Sequence, residues 1–193
     1  MDAPQHTPIT KPIFFIDFDR TLFDTEKFYT WLGADVYQRI DAIVEGKLTP
    51  PHFNTMIYDD VLEFLKFART KYHLVLLTFL KVEYSTNPVL MQQLKINGSG
   101  VAPYFDEIII TTKDKAIRAK EFLITHEKEG EEHLFVDDEM GNISRMKEEN
   151  PLTTCYLMSR YTTASARAED LKFGPDWVIK SLEELQTLLE KTN

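Results

Sequence analysis

Two carboxylates stand two residues apart in Asp17-Phe18-Asp19, directly behind the apolar run Ile13-Phe14-Phe15-Ile16. Where a chain turns just past a buried strand, such a pair can converge on one point. One member can then act as nucleophile and the other as general acid and base. A carboxylate pair also calls for a cation, and hard oxygen ligands suit Mg²⁺. A bare D-x-D arises often by chance as two solvated acids. What strengthens this one is its place between the apolar run and Thr21-Leu22-Phe23. Two more polar features close apolar runs: Thr78 follows 73–77, and Asp137-Asp138 follows 133–136.

The elements that must position these residues alternate in type. Strand-like runs occupy 13–16, 73–77, 107–111, 133–136 and 154–158, with a short sixth at 177–179. Each is short enough for a strand buried on both faces. Helix-like segments lie between them. Residues 59–70 carry Val61, Leu62, Leu65 and Ala68, with two aspartates in the first turn, where acids suit the helix dipole. Asn87-Pro88 reads as an N-cap and first helical residue, and Gly98 is placed to end that helix. A third helix spans 114–126 with Ile117, Phe122 and Leu123 inward, and a fourth spans 140–149 and stops at Asn150-Pro151. Ser181 with Glu184 forms a capping box for a last helix striped by Leu182, Leu185, Leu188 and Leu189. Alternation at this spacing predicts an α/β fold, a three-layer doubly wound (Rossmann-like) parallel sheet with helices on both faces. Ligands of such sheets bind beyond the carboxyl ends of the strands, where Asp17, Thr78 and Asp137-Asp138 stand.

One stretch breaks the rhythm. Residues 24–58 carry Phe28, Trp31, Leu32, Val36, Tyr37, Ile40, Ile43 and Val44 at three- and four-residue steps. They predict two short helices meeting near Gly33, then a loop through Gly46, Thr49, Pro50 and Pro51. The expected organisation is a core domain over 11–23 and 57–193, a small α-helical cap insertion over 24–56, and a flexible N-terminus over 1–10. The alternative is that the two helices extend the core, with their apolar stripe serving packing.

Composition bounds the rest. The 193 residues are 43% hydrophobic and 27% charged, which excludes wholesale disorder. A net charge of −9 argues against general nucleic-acid binding but not against small phosphorylated ligands. The single cysteine, Cys155, allows no intramolecular disulfide. The longest strongly apolar run, 74–80, is far short of the roughly 18 residues of a membrane span. Polar residues and prolines fill 1–12, so no signal segment is expected there and the expectation is a soluble, cytoplasmic protein.

Taken together, the motifs resemble those of the haloacid dehalogenase superfamily of phosphotransferases. IFFIDFDRTLF matches that family's first motif, LVLLT its second at Thr78, KDKAIRAKEFL its third at Lys115, and HLFVDDEMGNI its fourth. The four stand in the family's order, and the tail DWVIKSLEELQTLL is similar to the family's usual ending, so the resemblance covers nearly the whole chain.

The resemblance implies roles for individual residues. Asp17 would attack phosphorus to form an aspartyl phosphate. Asp19 would protonate the leaving oxygen, then activate water, while its backbone carbonyl touches the metal. Thr78 would hydrogen-bond a phosphoryl oxygen. Lys115 would hold the phosphoryl group and offset repulsion among the acids. Asp138 would ligate Mg²⁺, with Asp137 beside it. Acids cannot crowd together ionised without cations, so Mg²⁺ and Lys115 fit the electrostatics. The implied activity is Mg²⁺-dependent hydrolysis of a phosphomonoester, with a small phosphorylated metabolite or nucleotide as substrate. The acid at position 19 favours phosphoryl transfer, because family members that cleave carbon–halogen bonds lack it. The D-K-T-G-T signature of the ATP-driven pumps is absent.

Several alternatives stay open at this level. Lys113 and Lys120 compete with Lys115. Asn142, where many members carry an acid, could orient a metal-bound water or face solvent. Arg20, at a position often glycine in the family, could reach substrate or form a surface salt bridge. Phe79 could narrow the pocket. Lys27, Arg39, Lys47 and His52 could meet an anionic substrate from the cap or stand as surface residues. A phosphotransferase or mutase, or a weakly catalytic binding protein, remains an alternative on the same scaffold. A phospho-receiver is disfavoured because its motifs run in another order. The segment 159–176 and the oligomeric state carry no assignment.

Overall fold

The computed structural model describes residues 8–80, 85–161 and 172–191; positions 1–7 of the expected flexible N-terminus and 162–171 of the unassigned loop lie outside these. Six strands form one parallel sheet: β1 (Ile13–Ile16), β2 (His73–Phe79), β3 (Glu107–Thr111), β4 (His133–Asp137), β5 (Thr153–Met158) and β6 (Trp177–Ile179). Their spatial order is β3-β2-β1-β4-β5-β6. β1 lies at the centre with Phe14 paired to Leu74 on one side and to Leu134 on the other. The chain runs outward from β1 to β2 and β3, then returns to β4 at β1's other edge. That reversal opens a crevice at the carboxyl ends of β1 and β4.

The period-two alternation of the strands builds two cores, one per face. Phe14, Ile16, Leu74, Leu76 and Val136 pack with α3 (Val61–Lys71) and α7 (Leu182–Lys191). Ile13, Phe15, Val75, Leu77, Phe135 and Cys155 face the other way, onto α5 (Lys115–Thr125) and α6 (Met140–Glu149). All four residues of β1 are fully buried, as a strand covered on both faces requires. Among the described residues no helix is long and apolar enough to cross a membrane.

Two helices, α1 (Thr25–Leu32) and α2 (Val36–Val44), break at Gly33 as the spacing predicts, and a 3-10 turn follows at Phe53–Met56. Phe28, Leu32, Ile40, Ile43 and Phe53 belong to the same apolar cluster as Phe14 and Ile16. These two helices therefore add to the core on one side while Phe28, Tyr29 and Ile40 line the cavity above the sheet.

Some local expectations are corrected. Gly98 does not end α4 (Pro88–Ser99); the left-handed residue that closes it is Gly100, with φ of 81°. Ile117 points outward, because Ala116, Ala119 and Leu123 take the inward stripe of α5, and Leu62 is exposed beside buried Val61 and Leu65 for the same reason. Asp60 precedes α3 without capping it. Its carboxylate instead accepts from Arg160 at 2.8 and 3.1 Å and from the Leu182 backbone N–H at 2.8 Å.

Candidate active site

Asp17 extends β1 by one residue, its N–H donating to Val136 O at 3.0 Å. The chain then turns tightly, with the N–H groups of Leu22 and Phe23 both donating to Phe18 O at 2.9 Å. Arg20 sits in this turn at φ 62°, a conformation that glycine adopts without strain. The turn sends the two carboxylates to different partners across one cavity.

Asp17 faces Asp137, the last residue of β4, and Asp138 just beyond it. One oxygen each from Asp17, Asp137 and Asp138 falls within 4.8 Å of the others. Lys115, first residue of α5, places its ammonium between Asp17 and Asp137, donating to Asp17 Oδ1 and to Asp137 Oδ2, the latter at 2.7 Å. Asp114 caps that helix by accepting from Ala116 N at 2.8 Å, which fixes where Lys115 emerges. Asn142 donates to Asp137 Oδ1 at 2.9 Å, so it holds the acid in place.

One lysine does not balance three acids. Burial, reinforced by the charges of Asp137 and Asp138 and only partly offset by Lys115, holds Asp17 well above the usual carboxylate range. Burial and the neighbouring Asp137 charge raise Asp138 to about 7. Burial disfavours the Lys115 ammonium, yet Asp137 and Asp17 outweigh it and keep the lysine firmly protonated. Asp17 Oδ2 is buried without a hydrogen-bond partner. A hard divalent cation fits this donor set, since it would use that oxygen and relieve the excess negative charge.

Asp19 looks the other way and is only half-buried. Its Oδ1 accepts from Lys95 and from Thr25 Oγ1, the latter at 2.9 Å, and its Oδ2 accepts from Gln92 Nε2 at 2.8 Å. Burial would raise its pKa, but the Lys95 charge with these three donors outweighs it and holds Asp19 below the usual carboxylate value. Its side chain is outside the metal-competent cluster, so only its backbone carbonyl is left as a ligand candidate. Gln92 also donates to Thr78 Oγ1 at 2.8 Å. Gln92 and Lys95 are therefore part of the site, and sequence reading missed them.

The remaining candidates separate cleanly. Lys113 pairs with Glu121 at 3.0 Å and Lys120 with Glu149 at 3.3 Å, both away from Asp17. Arg20 forms an exposed salt bridge with Glu26 at 2.7 Å and, like Phe79, also lines the cavity. Lys27, Arg39, Lys47 and His52 do not line it. Lys27 donates to Thr55 O, Arg39 lies over Trp31, and Lys47 pairs with Glu45. The cavity measures about 580 Å³ and brings Asp17, Asp19, Thr78, Lys115 and Asp138 to one space. Asp137, fully buried behind them, reaches it through Lys115 and Asn142.

The fold has clear relatives among solved structures. The chain is similar to a haloacid dehalogenase-like protein from Burkholderia xenovorans LB400, with 16% identity, TM-score 0.70, and coverage of 94% of this chain and 97% of that one. It is also similar to a HAD phosphatase from Thermococcus onnurineus, with 19% identity, TM-score 0.61, and coverage of 92% and 97%. A 2-haloacid dehalogenase from Pseudomonas syringae pv. Tomato DC3000 matches with 13% identity, TM-score 0.60, and coverage of 95% and 100%. No protein-family model and no curated protein matches the sequence. The chain has the haloacid dehalogenase-like fold.

Proposed function

We propose that the protein is a Mg²⁺-dependent phosphomonoester hydrolase working through an aspartyl phosphate on Asp17. The observation that carries this reading is the buried, unpartnered Asp17 Oδ2 beside Lys115, with a second acid, Asp19, facing the same cavity. Asp17 attacks phosphorus and the bond from phosphorus to the ester oxygen breaks; Asp19, ionised at rest, takes up a proton from the phosphomonoester monoanion or a cavity water and passes it to that oxygen. Water then attacks the phosphorus of the aspartyl phosphate, Asp19 takes the proton, and the bond to Asp17 breaks. Thr78 and Lys115 hold the phosphoryl oxygens throughout. Asp17 and Asp138, with Asp137 behind them, would hold Mg²⁺, which would supply positive charge against the transferring group. The cavity suits a small phosphorylated metabolite or a nucleotide.

The fold is shared by phosphatases and dehalogenases, so the reaction class rests on the residues. Asp19 supports phosphoryl transfer, since a leaving alkoxide needs a proton and a leaving halide does not. The test is phosphate release from a phosphomonoester panel with Mg²⁺, for wild type and Asp17→Asn, with chloride release from 2-chloropropionate measured in parallel. Phosphate release lost in Asp17→Asn is the expected result. Chloride release without phosphate release overturns the reading.

A further inference from the structure

Lysine and glutamine are rarely buried without partners, and α4 buries one of each a single turn apart. Gln92 is 5% and Lys95 6% exposed, beside Thr78 at 1%. The Lys95 ammonium lies over the rings of Phe18, Phe23 and Phe28, 5.4, 4.9 and 5.9 Å from their centroids. Attraction to these ring faces offsets part of the cost of burying the charge.

The donor inventory fixes the orientation of the glutamine. An ammonium only donates, so the amide atom 3.1 Å from Lys95 Nζ must be the carbonyl oxygen. The amide NH₂ then faces Asp19 Oδ2 and Thr78 Oγ1, both at 2.8 Å, and spends one N–H on each. Thr78 is consequently an acceptor toward Gln92. Its own hydroxyl proton donates to no described residue, and the side chain lines the cavity. Asp19, held by Lys95, Thr25 and Gln92, has its carboxylate plane set by donors from α1 and α4.

We propose that Gln92 and Lys95 are positioning residues for the reaction: Lys95 anchors the Asp19 carboxylate and the Gln92 amide, and that amide turns the Thr78 hydroxyl proton toward the cavity. The inference rests on the phosphoryl-transfer reading above. Neither residue touches the reacting atoms; both act through Asp19 and Thr78.

The test uses p-nitrophenyl phosphate with Mg²⁺ and compares wild type, Asp17→Asn, Lys95→Ala and Gln92→Leu. Misplacing a catalytic group by about 1 Å costs on the order of a hundredfold, so both α4 variants are expected to lose kcat by about that factor, with KM changed far less. Lys95 borders the cavity, so a small cation can enter the space left by Lys95→Ala. Ethylammonium is expected to restore kcat of that variant at least tenfold, and ethanol, of similar size but neutral, to restore nothing. Rescue by ethanol as good as by ethylammonium, or by neither in a folded variant, assigns Lys95 to packing alone and overturns the proposal. So does a Gln92→Leu kcat within about threefold of wild type, which decides the matter should Lys95→Ala not fold. Phosphate release equal in wild type and Asp17→Asn overturns the underlying reaction instead; Asp17-dependent release with unaltered α4 variants overturns only the positioning role.

Discussion

The ring of Phe53 lies so close against Gly98 that a Cβ there would stand 2.6 Å from Phe53 Cδ2. This contact locks the 3-10 turn at Phe53–Met56 onto α4, the helix that carries Gln92 and Lys95. Helix propensity alone would make Gly98→Ala stabilising by about 1 kcal/mol. The ring cannot easily withdraw, because Phe23 and Phe28 pack around it at centroid distances of 6.2 and 5.9 Å. Gly98→Ala is therefore expected to destabilise by about 1–3 kcal/mol in denaturant titration, as overpacking does. Adding Phe53→Leu should recover much of that loss. A more stable Gly98→Ala would mean the contact is loose.

Asp60 ties three separate stretches of chain together. Besides Arg160 and the N-terminus of α7, the link extends to Thr21 O, which accepts from Arg160 Nε at 3.0 Å, and to Tyr58, whose ring lies 4.0 Å beneath the guanidinium. Hydrogen bonds to charged groups are worth more than neutral ones, and the bidentate pair adds geometry. Asp60→Asn should cost about 2 kcal/mol in thermal or denaturant unfolding. Its exposed neighbour serves as control: Asp59→Asn should stay within about 0.5 kcal/mol of wild type. Equal losses for the two would mean that the ion pair contributes nothing.

The strands and the residues at their ends were legible in the sequence because each strand is a short apolar run, and three of them, β1, β2 and β4, run straight into Asp17, Thr78 and Asp137-Asp138. Asp17, Thr78, Lys115 and Asp138 consequently meet in the cavity where the alternation places them, with Asp137 behind. Gln92 and Lys95 were not legible. Two polar residues three apart on an amphipathic helix look like a solvated face, and their partner Asp19 lies over seventy residues away. Their burial depends on how α4 sits against α1 and the loop after β1, which is tertiary information. Ile117 failed in the opposite sense. It is apolar, yet small Ala116 and Ala119 lie closer to the sheet and turn it outward. Asp60 read as a helix-dipole partner because local charge placement says nothing about an arginine a hundred residues on.

His133 gives the fold a pH dependence of definite sign. Its Nε2 contacts Lys128 O at 2.7 Å, and a carbonyl only accepts, so Nε2 carries the proton. Nδ1 is then buried without a partner, and a second proton there would be an unpaired buried charge. Burial accordingly outweighs the Lys128 carbonyl bond and lowers the pKa of His133 below 6.5. The unfolded chain thus binds this proton more readily, and the histidine's contribution to stability is lost as pH falls from about 6.5 toward the lower folded value. His133→Gln keeps an N–H donor toward Lys128 O and removes the titration. The melting temperature of wild type should therefore fall more steeply below about pH 6.5 than that of His133→Gln. Parallel curves would show that His133 is not held neutral.

Lys115 is the cation that bonds both Asp17 and Asp137, and its replacement separates its structural weight from that of its neighbours. Lys115→Met removes the charge and keeps most of the volume, leaving Asp17 and Asp137 buried without their ammonium. Losing one partner of a buried pair costs about 3–5 kcal/mol. Lys120 reaches only Glu149 on a solvated flank, and such pairs are worth at most about 1 kcal/mol, so Lys120→Met sets the baseline. Measured by denaturant unfolding in EDTA, Lys115→Met should be much the less stable of the two. Mg²⁺ should raise the melting temperature of both, since a ligand at a hundred times its Kd adds about 2.7 kcal/mol to the folded state. The further change Asp138→Asn should abolish that rise. A Lys115→Met protein as stable as Lys120→Met, or a Mg²⁺ shift that survives Asp138→Asn, would place the compensating charge elsewhere in the cavity.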